Sequence, residues 1–211
     1  MLFDMPVHQE TLAEQRDDMV GVSTYADKVS ACRDVVSTVL AKIWNDNGAK
    51  VGGLHWDRAA DPEPILDYII RLAELGVVLR SVVAKEKVIT GTEYEYSPAV
   101  LEGPARYRQS LYNLARGHAL INGRRTLAME DLALPLRIVL STGPVERLRL
   151  LRHFITGGTI NSTNQAGGII GHAWSTAESV MKQMLQLGLI RHGSEYYYLD
   201  SKYEWIKDLR V

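Results

Sequence analysis

The chain has 211 residues, of which 46% are hydrophobic and 23% are charged, and its formal net charge is −1. This composition is typical of a globular protein with one large domain or two small ones, and it excludes disordered, collagen-like and coiled-coil rod architectures. No apolar run approaches the roughly 20 residues that cross a bilayer. The N-terminus lacks the pattern of a secretory signal, so we expect a cytoplasmic location and no membrane partner.

The charge distribution and the cysteine content add expectations about partners and about disulfide bonds. Residues 1–100 contain 10 lysines and arginines against 16 aspartates and glutamates, whereas residues 101–211 contain 14 against 9. The basic second half permits an anionic partner such as DNA without requiring one. The single cysteine, Cys32, excludes an internal disulfide, and its valine neighbours predict a buried thiol.

The first elements are a lead-in and a helix. Residues 1–25 show little periodicity and are predicted to be a loose, acidic lead-in. From Ala26 to Trp44, apolar residues recur every three or four positions, which predicts a helix with one face turned toward a core. The residues on that face are Val29, Cys32, Val36, Val39 and Ile43.

A second helix is predicted to begin at Asp61-Pro62, with Asp61 as the N-cap, and to stop or bend at Gly76. The segment after it has two open interpretations. Residues 77–83 and 88–96 are rich in β-branched and aromatic residues and form a hairpin around Lys85-Glu86-Lys87, or the first of them continues the helix.

Two more helices are predicted before residue 141. The first follows Pro104 and ends at Asn122-Gly123, and its apolar face contains Tyr107, Leu111, Leu114, His118 and Ile121. We interpret His118 as a packed core histidine because no Cys or acidic residue stands at ligand spacing from it. The second helix runs from about Met129 to Leu140, with Glu130 and Asp131 at its positive end and a kink at Pro135.

Residues 145–211 form a second predicted unit after a break at residues 141–144. A helix marked by Leu148, Leu151 and Ile155 ends at Gly157-Gly158, and a short helix covers residues 163–170. A third helix, capped by Ser175, ends at Gly188. A hairpin then turns at residues 192–194. Three helices followed by a hairpin are the plan of a winged helix.

This unit contains the stretches Ser175-Thr176-Ala177 and Met184-Leu185-Gln186-Leu187-Gly188-Leu189-Ile190. Both resemble the third helix and first wing strand of winged helix-turn-helix proteins. The resemblance implies contacts to phosphates or base edges. The candidate DNA-binding residues are Ser175 at the helix start and seven residues predicted to face solvent: His172, Thr176, Ser179, Lys182, Gln183, Gln186 and Arg191. Use of the winged helix for packing or protein contact is an equal alternative, because fold does not fix function.

A second resemblance covers roughly residues 60–141. It is carried by the segments Ala105-Arg106-Tyr107-Arg108-Gln109, Leu111-Tyr112-Asn113-Leu114-Ala115-Arg116-Gly117-His118-Ala119 and Gly123-Arg124-Arg125-Thr126-Leu127-Ala128-Met129-Glu130-Asp131-Leu132. They resemble the helical lid of AAA+ ATPases, in the branch of minichromosome-maintenance helicases and MoxR-like proteins.

In that branch an arginine at the start of a lid helix contacts the nucleotide γ-phosphate. An Ala-His-Ala-like stretch packs against the next helix, which an acidic pair opens. The resemblance therefore implies nucleotide sensing by Arg106, with Arg108 as a rival position. Ala128 stands where the family often has Thr, and residues 81–103 have no counterpart.

The sequence contains no phosphate-binding loop of the form Gly-x-x-x-x-Gly-Lys-Ser/Thr. We therefore predict that the chain is not an enzyme by itself and holds no cofactor, whereas ATP and Mg would bind to a full-length ATPase. His55, Asp57 and Asp61 lack a fourth ligand, so no metal site is predicted.

The predicted fold class is mainly α, with a lid-like helical bundle and an optional small β-hairpin over residues 26–141 and a winged helix domain over residues 145–211. Our first hypothesis is the C-terminal region of a larger P-loop ATPase. The alternatives are a free-standing winged-helix transcriptional regulator and a protein-interaction module. The expected partners are double-stranded DNA, an ATPase core domain or neighbouring subunit, and further copies of the chain in a homo-oligomer.

Overall fold

The computed structural model describes residues 25–46, 56–87, 94–97 and 101–209, and this part of the chain is mainly helical. The α-helices are α1 (Tyr25–Asp46), α2 (Glu63–Arg80), α3 (Ala105–Ile121), α4 (Ala133–Ser141), α5 (Val145–Ile155), α6 (Thr163–Ile170) and α7 (Trp174–Gln186). Short 3₁₀ helices lie at Arg58–Ala60, Met129–Leu132 and Ser201–Asp208. The predicted mainly α class is confirmed.

Two antiparallel ribbons accompany the helices. Strands β1 (Lys85–Lys87) and β2 (Tyr94–Tyr96) pair with Lys85 opposite Tyr96. Strands β3 (Ile190–His192) and β4 (Tyr197–Leu199) pair with Arg191 opposite Tyr198. Tyr197 also exchanges two backbone hydrogen bonds with Ile160, of 2.7 and 3.1 Å. A single residue between α5 and α6 therefore pairs with β4.

One apolar core extends through α2 to α7. Its largest fully buried side chains come from both halves of the chain: Ile69, Leu72, Leu75, Leu79, Leu111 and Leu132 from the first, and Leu150, Leu151, Phe154, Ile160, Ile170 and Met184 from the second. The connection from α4 to α5 is only Thr142-Gly143-Pro144. The ideal Cβ position at Gly143 lies 3.0 Å from the Leu79 carbonyl oxygen, so this connection runs directly against the end of α2.

The prediction that α1 presents an apolar face to a core was wrong. Its helical periodicity is present, but among its described side chains only Val29 is half-buried, and Val35 and Leu40 are 64% and 59% exposed. Cys32 is exposed rather than buried. Periodicity identifies an amphipathic helix but does not identify a surface that covers it. The predicted lead-in, except Tyr25, lies outside the described residues.

The predicted cap of α2 was also wrong. α2 begins at Glu63 with Pro62 at the cap position, and the Asp61 side chain bonds elsewhere. It accepts hydrogen bonds from the Trp56 indole at 2.9 Å, the Tyr112 hydroxyl at 2.5 Å and the Leu127 backbone N–H at 3.0 Å. Asp61 is therefore a buried junction between α2, α3 and the loop before Met129.

Gly76 does not stop α2. The helix continues to Arg80, so of the two interpretations of residues 77–83 the helical one is confirmed as far as that residue. Gly76 is buried where the Tyr107 ring of α3 crosses, and a Cβ atom there would overlap the ring. Lys85-Glu86-Lys87, predicted as a turn, is the first strand of the hairpin.

Two details of the next helices differ from the prediction. The buried residues of α3 are Leu111, Ala115 and Ala119, whereas Ile121 is 66% exposed, so the core face is rotated from the predicted one. The region after residue 128 divides into the 3₁₀ helix Met129–Leu132 and α4. This division places Pro135 in the first turn of α4, where proline requires no kink.

The element order predicted for residues 145–199 is confirmed. α5 ends before Gly157, α7 before Gly188, and both glycines have positive φ values, of 88° and 64°. Ser175 is not a cap, because α7 starts one residue earlier, at Trp174, and Ala173 occupies the cap position without a side-chain bond. The 3₁₀ helix Ser201–Asp208 was not predicted. In the described ranges, no helix is both long enough and apolar enough to cross a membrane.

The contact at Gly76 yields a matched pair of substitutions. Gly76→Ala forces the Tyr107 ring away from α2 and is expected to lower the free energy of unfolding by about 1–3 kcal/mol. Gly117→Ala in α3 adds its Cβ in open space and is expected to raise that energy by about 0.5–1 kcal/mol. Urea denaturation followed by circular dichroism measures both changes. Equal effects of the two substitutions would contradict close packing at Gly76.

Candidate functional site

The two candidate nucleotide-sensing arginines lie in the first turn of α3. Arg106 and Arg108 are both exposed, and within the described part of the chain neither guanidinium has a hydrogen-bonding or ionic partner. Their backbones are fixed, because the Pro104 carbonyl accepts from the Arg108 N–H at 2.8 Å and the Arg106 carbonyl accepts from the Ser110 hydroxyl at 3.1 Å. Both side chains can therefore contact an external anion, and they extend from a helix whose backbone is fixed.

The prediction of a packed core histidine was wrong for His118. Its side chain is 37% exposed, and its Nδ1 lies 2.6 Å from the Asp131 carboxylate. Asp131 is fully buried and also accepts two hydrogen bonds from the Arg124 guanidinium, at 2.6 and 2.8 Å, and one from the Ala128 backbone N–H. Asp131 therefore fastens the end of α3 to the 3₁₀ helix Met129–Leu132.

The electrostatics of Asp131 follow from these contacts. Burial alone would raise the pKa of its carboxyl group, but the hydrogen bonds from Arg124, His118 and Ala128 outweigh burial and lower it. The same interaction with Asp131 raises the pKa of Arg124. Both groups are therefore ionised at neutral pH, and the pair is a structural ion pair.

The candidate DNA-binding residues of α7 divide into two groups. Thr176, Lys182 and Gln186 are exposed, as predicted, together with His172 in the preceding turn, and Ser175 is exposed as well. Lys182 forms an ion pair of 2.9 Å with Glu178, and His172 lies 3.5 Å from Glu146. We call Ser175, Thr176, Lys182 and Gln186 the exposed line of α7. It contains one lysine, and Glu178 offsets the charge of that lysine.

Ser179 and Gln183 do not face solvent as predicted. Both are half-buried, because the first hairpin and α5 cover this flank of α7. The Ser179 hydroxyl accepts a hydrogen bond of 3.1 Å from the Tyr96 hydroxyl of β2. The Gln183 amide oxygen accepts one of 3.0 Å from Arg147 of α5. Ser179 and Gln183 therefore serve internal packing.

Arg147 connects the two halves of the fold. It is 2% exposed, and one terminal nitrogen donates to the carbonyl oxygens of Leu79 and Ser81, at 2.7 and 3.0 Å, while the other donates to Gln183. The carbonyls at the end of α2 carry the negative end of its dipole, which stabilises a buried cation. Burial lowers the pKa of the guanidinium.

Arg191 holds the base of the wing, which we define as β3, β4 and the turn between them. Its Nε lies 2.6 Å from the Asp200 carboxylate, while its side chain stays 62% exposed. Burial acts to raise the pKa of Asp200, but the bonds from Arg191 and the Lys202 backbone lower it overall. The hydrogen bond to Asp200 uses Nε of Arg191 and not its two terminal nitrogens.

The wing has two different aromatic faces. On one, the Tyr197 ring stacks on His192, with centroids 4.2 Å apart and 25° between the planes, and the Tyr197 backbone pairs with Ile160. On the other, Tyr196 and Tyr198 are 46% and 42% exposed. The Tyr198 ring passes so close to Gly193 that a Cβ atom there would lie 3.2 Å from it.

A separate groove of about 720 Å³ lies between α2 and the 3₁₀ helix Ser201–Asp208. Val77, Val78 and Tyr203 are among its buried lining residues, and none of the candidate nucleotide- or DNA-binding residues lines it. Burial, followed by the charges of Asp200 and Glu74, raises the pKa of Tyr203 to about 12.

The described residues contain no group of three His, Cys, Asp or Glu side chains placed to bind a metal ion. Of the three residues considered for such a site, Asp57 caps the 3₁₀ helix Arg58–Ala60 and Asp61 is the buried junction. His55 lies outside the described ranges.

Sequence reasoning missed several residues that shape the site. Arg147 resembles any basic residue on a helix, and no local pattern shows that it is buried. Asp200 caps the 3₁₀ helix Ser201–Asp208 through the Lys202 N–H, and the Asp200-Ser201 pair was a detectable cap signal. The run Tyr196-Tyr197-Tyr198 was interpreted only as a strand, although alternation predicts that its first and last residues share a face.

Comparison with known proteins gave no relatives: no family model, no curated protein and no solved structure matches the chain.

The network around Asp131 predicts a pH-dependent stability. Asp131→Asn is expected to lower the free energy of unfolding by roughly 3–5 kcal/mol at pH 7, because it leaves Arg124 without its buried counter-charge. The folded-state pKa of Asp131 is lowered, so its contribution is complete above the unfolded pKa of about 4 and disappears as the pH falls further.

Urea denaturation between pH 7 and pH 2.5 should therefore show a difference between wild type and Asp131→Asn that shrinks only below about pH 4. Glu130→Gln is the matched control, because Glu130 contacts the same arginine but is 65% exposed. We expect it to cost less than about 1 kcal/mol. A difference independent of pH would show that Asp131 does not titrate as described.

Proposed function

We propose that the chain is the lid and winged-helix region of a larger P-loop ATPase, in which it transmits the nucleotide state to a DNA-contacting or subunit-contacting surface. The proposal is carried by one observation: Arg106 is an exposed arginine in the first turn of a lid-like helix, with no partner in the described part of the chain. An arginine in that position suits a γ-phosphate because its charge is permanent and its fork donates two hydrogen bonds.

The contact between His118 and Asp131 supports the lid assignment. The resemblance implied that an Ala-His-Ala-like stretch packs against a helix opened by an acidic pair. Here His118 bonds to Asp131, the second residue of the pair Glu130-Asp131. The first turn of α3, which carries Arg106, is thereby part of a helix whose other end is fixed to the next segment.

Arg147 supports coupling between the two halves. It bonds the end of α2 to the last turn of α7, and the apolar core continues across the same junction. A displacement of the lid helices by a nucleotide would therefore carry the winged helix with it, rather than bend a flexible linker. Coupling of this kind requires that each ligand favour one of the two positions.

DNA contact is proposed for the part of the winged helix that remains exposed. That surface comprises Ser175, Thr176, Lys182 and Gln186 on α7, His172 before it, and Arg191 on the wing. Serine and glutamine hydroxyl and amide groups bind phosphates or base edges, while Lys182 and Arg191 supply charge.

A protein-interaction module is the second candidate function. It is favoured by the covered flank of α7, where Tyr96 and Arg147 already occupy Ser179 and Gln183, and by the pairing of Lys182 with Glu178. A surface with so little free positive charge also suits a neighbouring protein subunit.

The nucleotide-sensing role is tested in the assembled ATPase, with the chain joined to or in complex with its P-loop core. Arg106→Ala is expected to lower ATP turnover about ten-fold or more, since a charged hydrogen bond to phosphate is lost. Arg108→Ala tests the rival position two residues away, and a larger loss of turnover there than in Arg106→Ala would contradict the assignment to Arg106. The chain without the core should hydrolyse no ATP. Unchanged turnover in Arg106→Ala, or hydrolysis by the chain alone, would contradict the proposal.

The DNA-contacting role is tested by fluorescence anisotropy with a labelled duplex at several salt concentrations. Each phosphate contact contributes about −0.9 to the slope of log affinity against log salt, so Lys182→Ala and Arg191→Ala should each flatten the slope by roughly one unit. Lys207→Ala is the control, because Lys207 has a similar ion pair of 3.1 Å with Glu204 but lies outside α7 and the wing. Equal slopes in all four proteins would remove Lys182 and Arg191 from the interface.

A further inference from the structure

We call the face of the wing with Tyr196 and Tyr198 its outer face, and the face with Tyr197 its inner face. The outer face exposes more aromatic surface than its structural role requires. Tyr197, on the inner face, already stacks on His192 and pairs with Ile160. Tyr196 and Tyr198 are nevertheless 46% and 42% exposed, next to an arginine whose side chain is 62% exposed. Exposed aromatic rings clustered beside a cation on a projecting ribbon are a feature of binding surfaces.

We propose that Tyr196, Tyr198 and Arg191 form a binding site for single-stranded nucleic acid, in which the two rings stack on unpaired bases and Arg191 contacts the intervening phosphate. The proposal rests on the nucleic-acid contact proposed above, but it assigns a different ligand, and of its three residues only Arg191 also belongs to the proposed duplex surface.

The geometry of the wing suits unpaired bases. Residues two apart on a strand are separated by roughly 6.6 Å, and they emerge on the same face. This distance is about twice the thickness of an aromatic ring, so the two tyrosines can each take one base of an extended strand. Stacking on aromatic side chains is the common mode of single-strand binding because every base has a flat π-face.

The ring of Tyr198 is held in place before any ligand binds. Tyr198 lies opposite Arg191 in the ribbon register, and its ring covers Gly193, where even one methyl group would press on it. Pairing of the neighbouring residue, Tyr197, with Ile160 fixes the backbone from which both exposed rings extend. A preformed platform avoids the entropic cost of ordering side chains on binding.

Arg191 is oriented in the same way. Asp200 accepts the hydrogen bond from its Nε at 2.6 Å, which fixes the plane of the guanidinium and leaves the two terminal nitrogens for a phosphate. A planar fork of this kind matches two phosphate oxygens.

The local charge favours stacking over general attraction to phosphates. The wing turn also contains the exposed Glu195, which offsets part of the positive charge of Arg191. Duplex binding depends chiefly on dense positive charge, whereas single-strand binding adds the stacking of bases on aromatic rings to its phosphate contacts. We therefore infer an unpaired strand as the ligand of this face.

The test measures anisotropy of a labelled 20-nucleotide oligothymidine with the whole chain. Tyr196→Ala and Tyr198→Ala should each weaken binding about ten-fold, in line with the loss of one base–aromatic stack. Tyr196→Phe and Tyr198→Phe keep the rings and should remain within about two-fold of wild type. An abasic oligomer of the same length has the same phosphates without bases and should bind wild type as weakly as oligothymidine binds the alanine variants. Circular dichroism melting checks that all variants are folded.

Three results would overturn the proposal: no binding of oligothymidine by wild type at low salt, full binding by the alanine variants, or equal losses in the alanine and phenylalanine variants. The outcomes separate this site from the duplex contact. If Lys182→Ala flattens the duplex salt slope while the tyrosine variants bind oligothymidine normally, only the wing proposal fails. If the tyrosine variants lose oligothymidine and Lys182→Ala has no effect on duplex binding, only the α7 duplex contact fails.

Discussion

The relation between the two halves of the fold depends on one buried cation. Arg147 places a guanidinium, 2% exposed, against the carbonyl oxygens of Leu79 and Ser81 at the end of α2. Among the described residues its hydrogen-bond acceptors are these two carbonyls and the amide of Gln183, with no carboxylate. The end of a helix dipole and directed hydrogen bonds replace the counter-ion, which makes the position of α7 dependent on the position of α2.

Buried aspartates organise the remaining junctions. Asp131 fixes the end of α3 to the segment before α4, and Asp61 fixes the start of α2 to α3 and to the Leu127 backbone. Asp61 accepts hydrogen bonds from residues up to 66 positions away in sequence, whereas the donors to Asp131 all lie within the 13 residues before it. The candidate functional surfaces lie at the outer ends of these fixed elements: Arg106 on α3, the exposed line on α7, and the wing. Rigid support of this kind is what a nucleotide-responsive lever requires.

The sequence predicted local structure much better than it predicted burial. The helices after residue 104, the glycine ends at Gly157 and Gly188, and the second hairpin follow from periodicity and turn chemistry, which are properties of neighbouring residues. The errors concern contacts over long distances in sequence. Gly76 was interpreted as a helix end because nothing nearby shows that Tyr107 crosses it. Cys32 was expected to be buried because of its valine neighbours, yet neighbours in sequence do not identify a surface that covers the helix.

In the candidate site, too, the sequence predicted local features but not contacts between residues distant in sequence. Exposure of Ser175, Thr176, Lys182 and Gln186 could be predicted from the apolar stripe of α7, because residues opposite a buried stripe face outward. The covering of Ser179 and Gln183 could not, since Tyr96 and Arg147 reach them from 83 and 36 residues away. Arg106 and Arg108 were placed by resemblance alone, and the structure shows both to be exposed on the same turn.

The three-residue connection Thr142-Gly143-Pro144 has a consequence for how the halves hold together. So short a tether gives each half a very high effective concentration for the other, so that an interface too weak to join two separate polypeptides can remain closed within one chain. Arg147 and its acceptors therefore need to supply orientation more than affinity. Cleavage of the tether between α4 and α5 would convert a unimolecular equilibrium into a bimolecular one and reveal how little of the association the contacts alone provide.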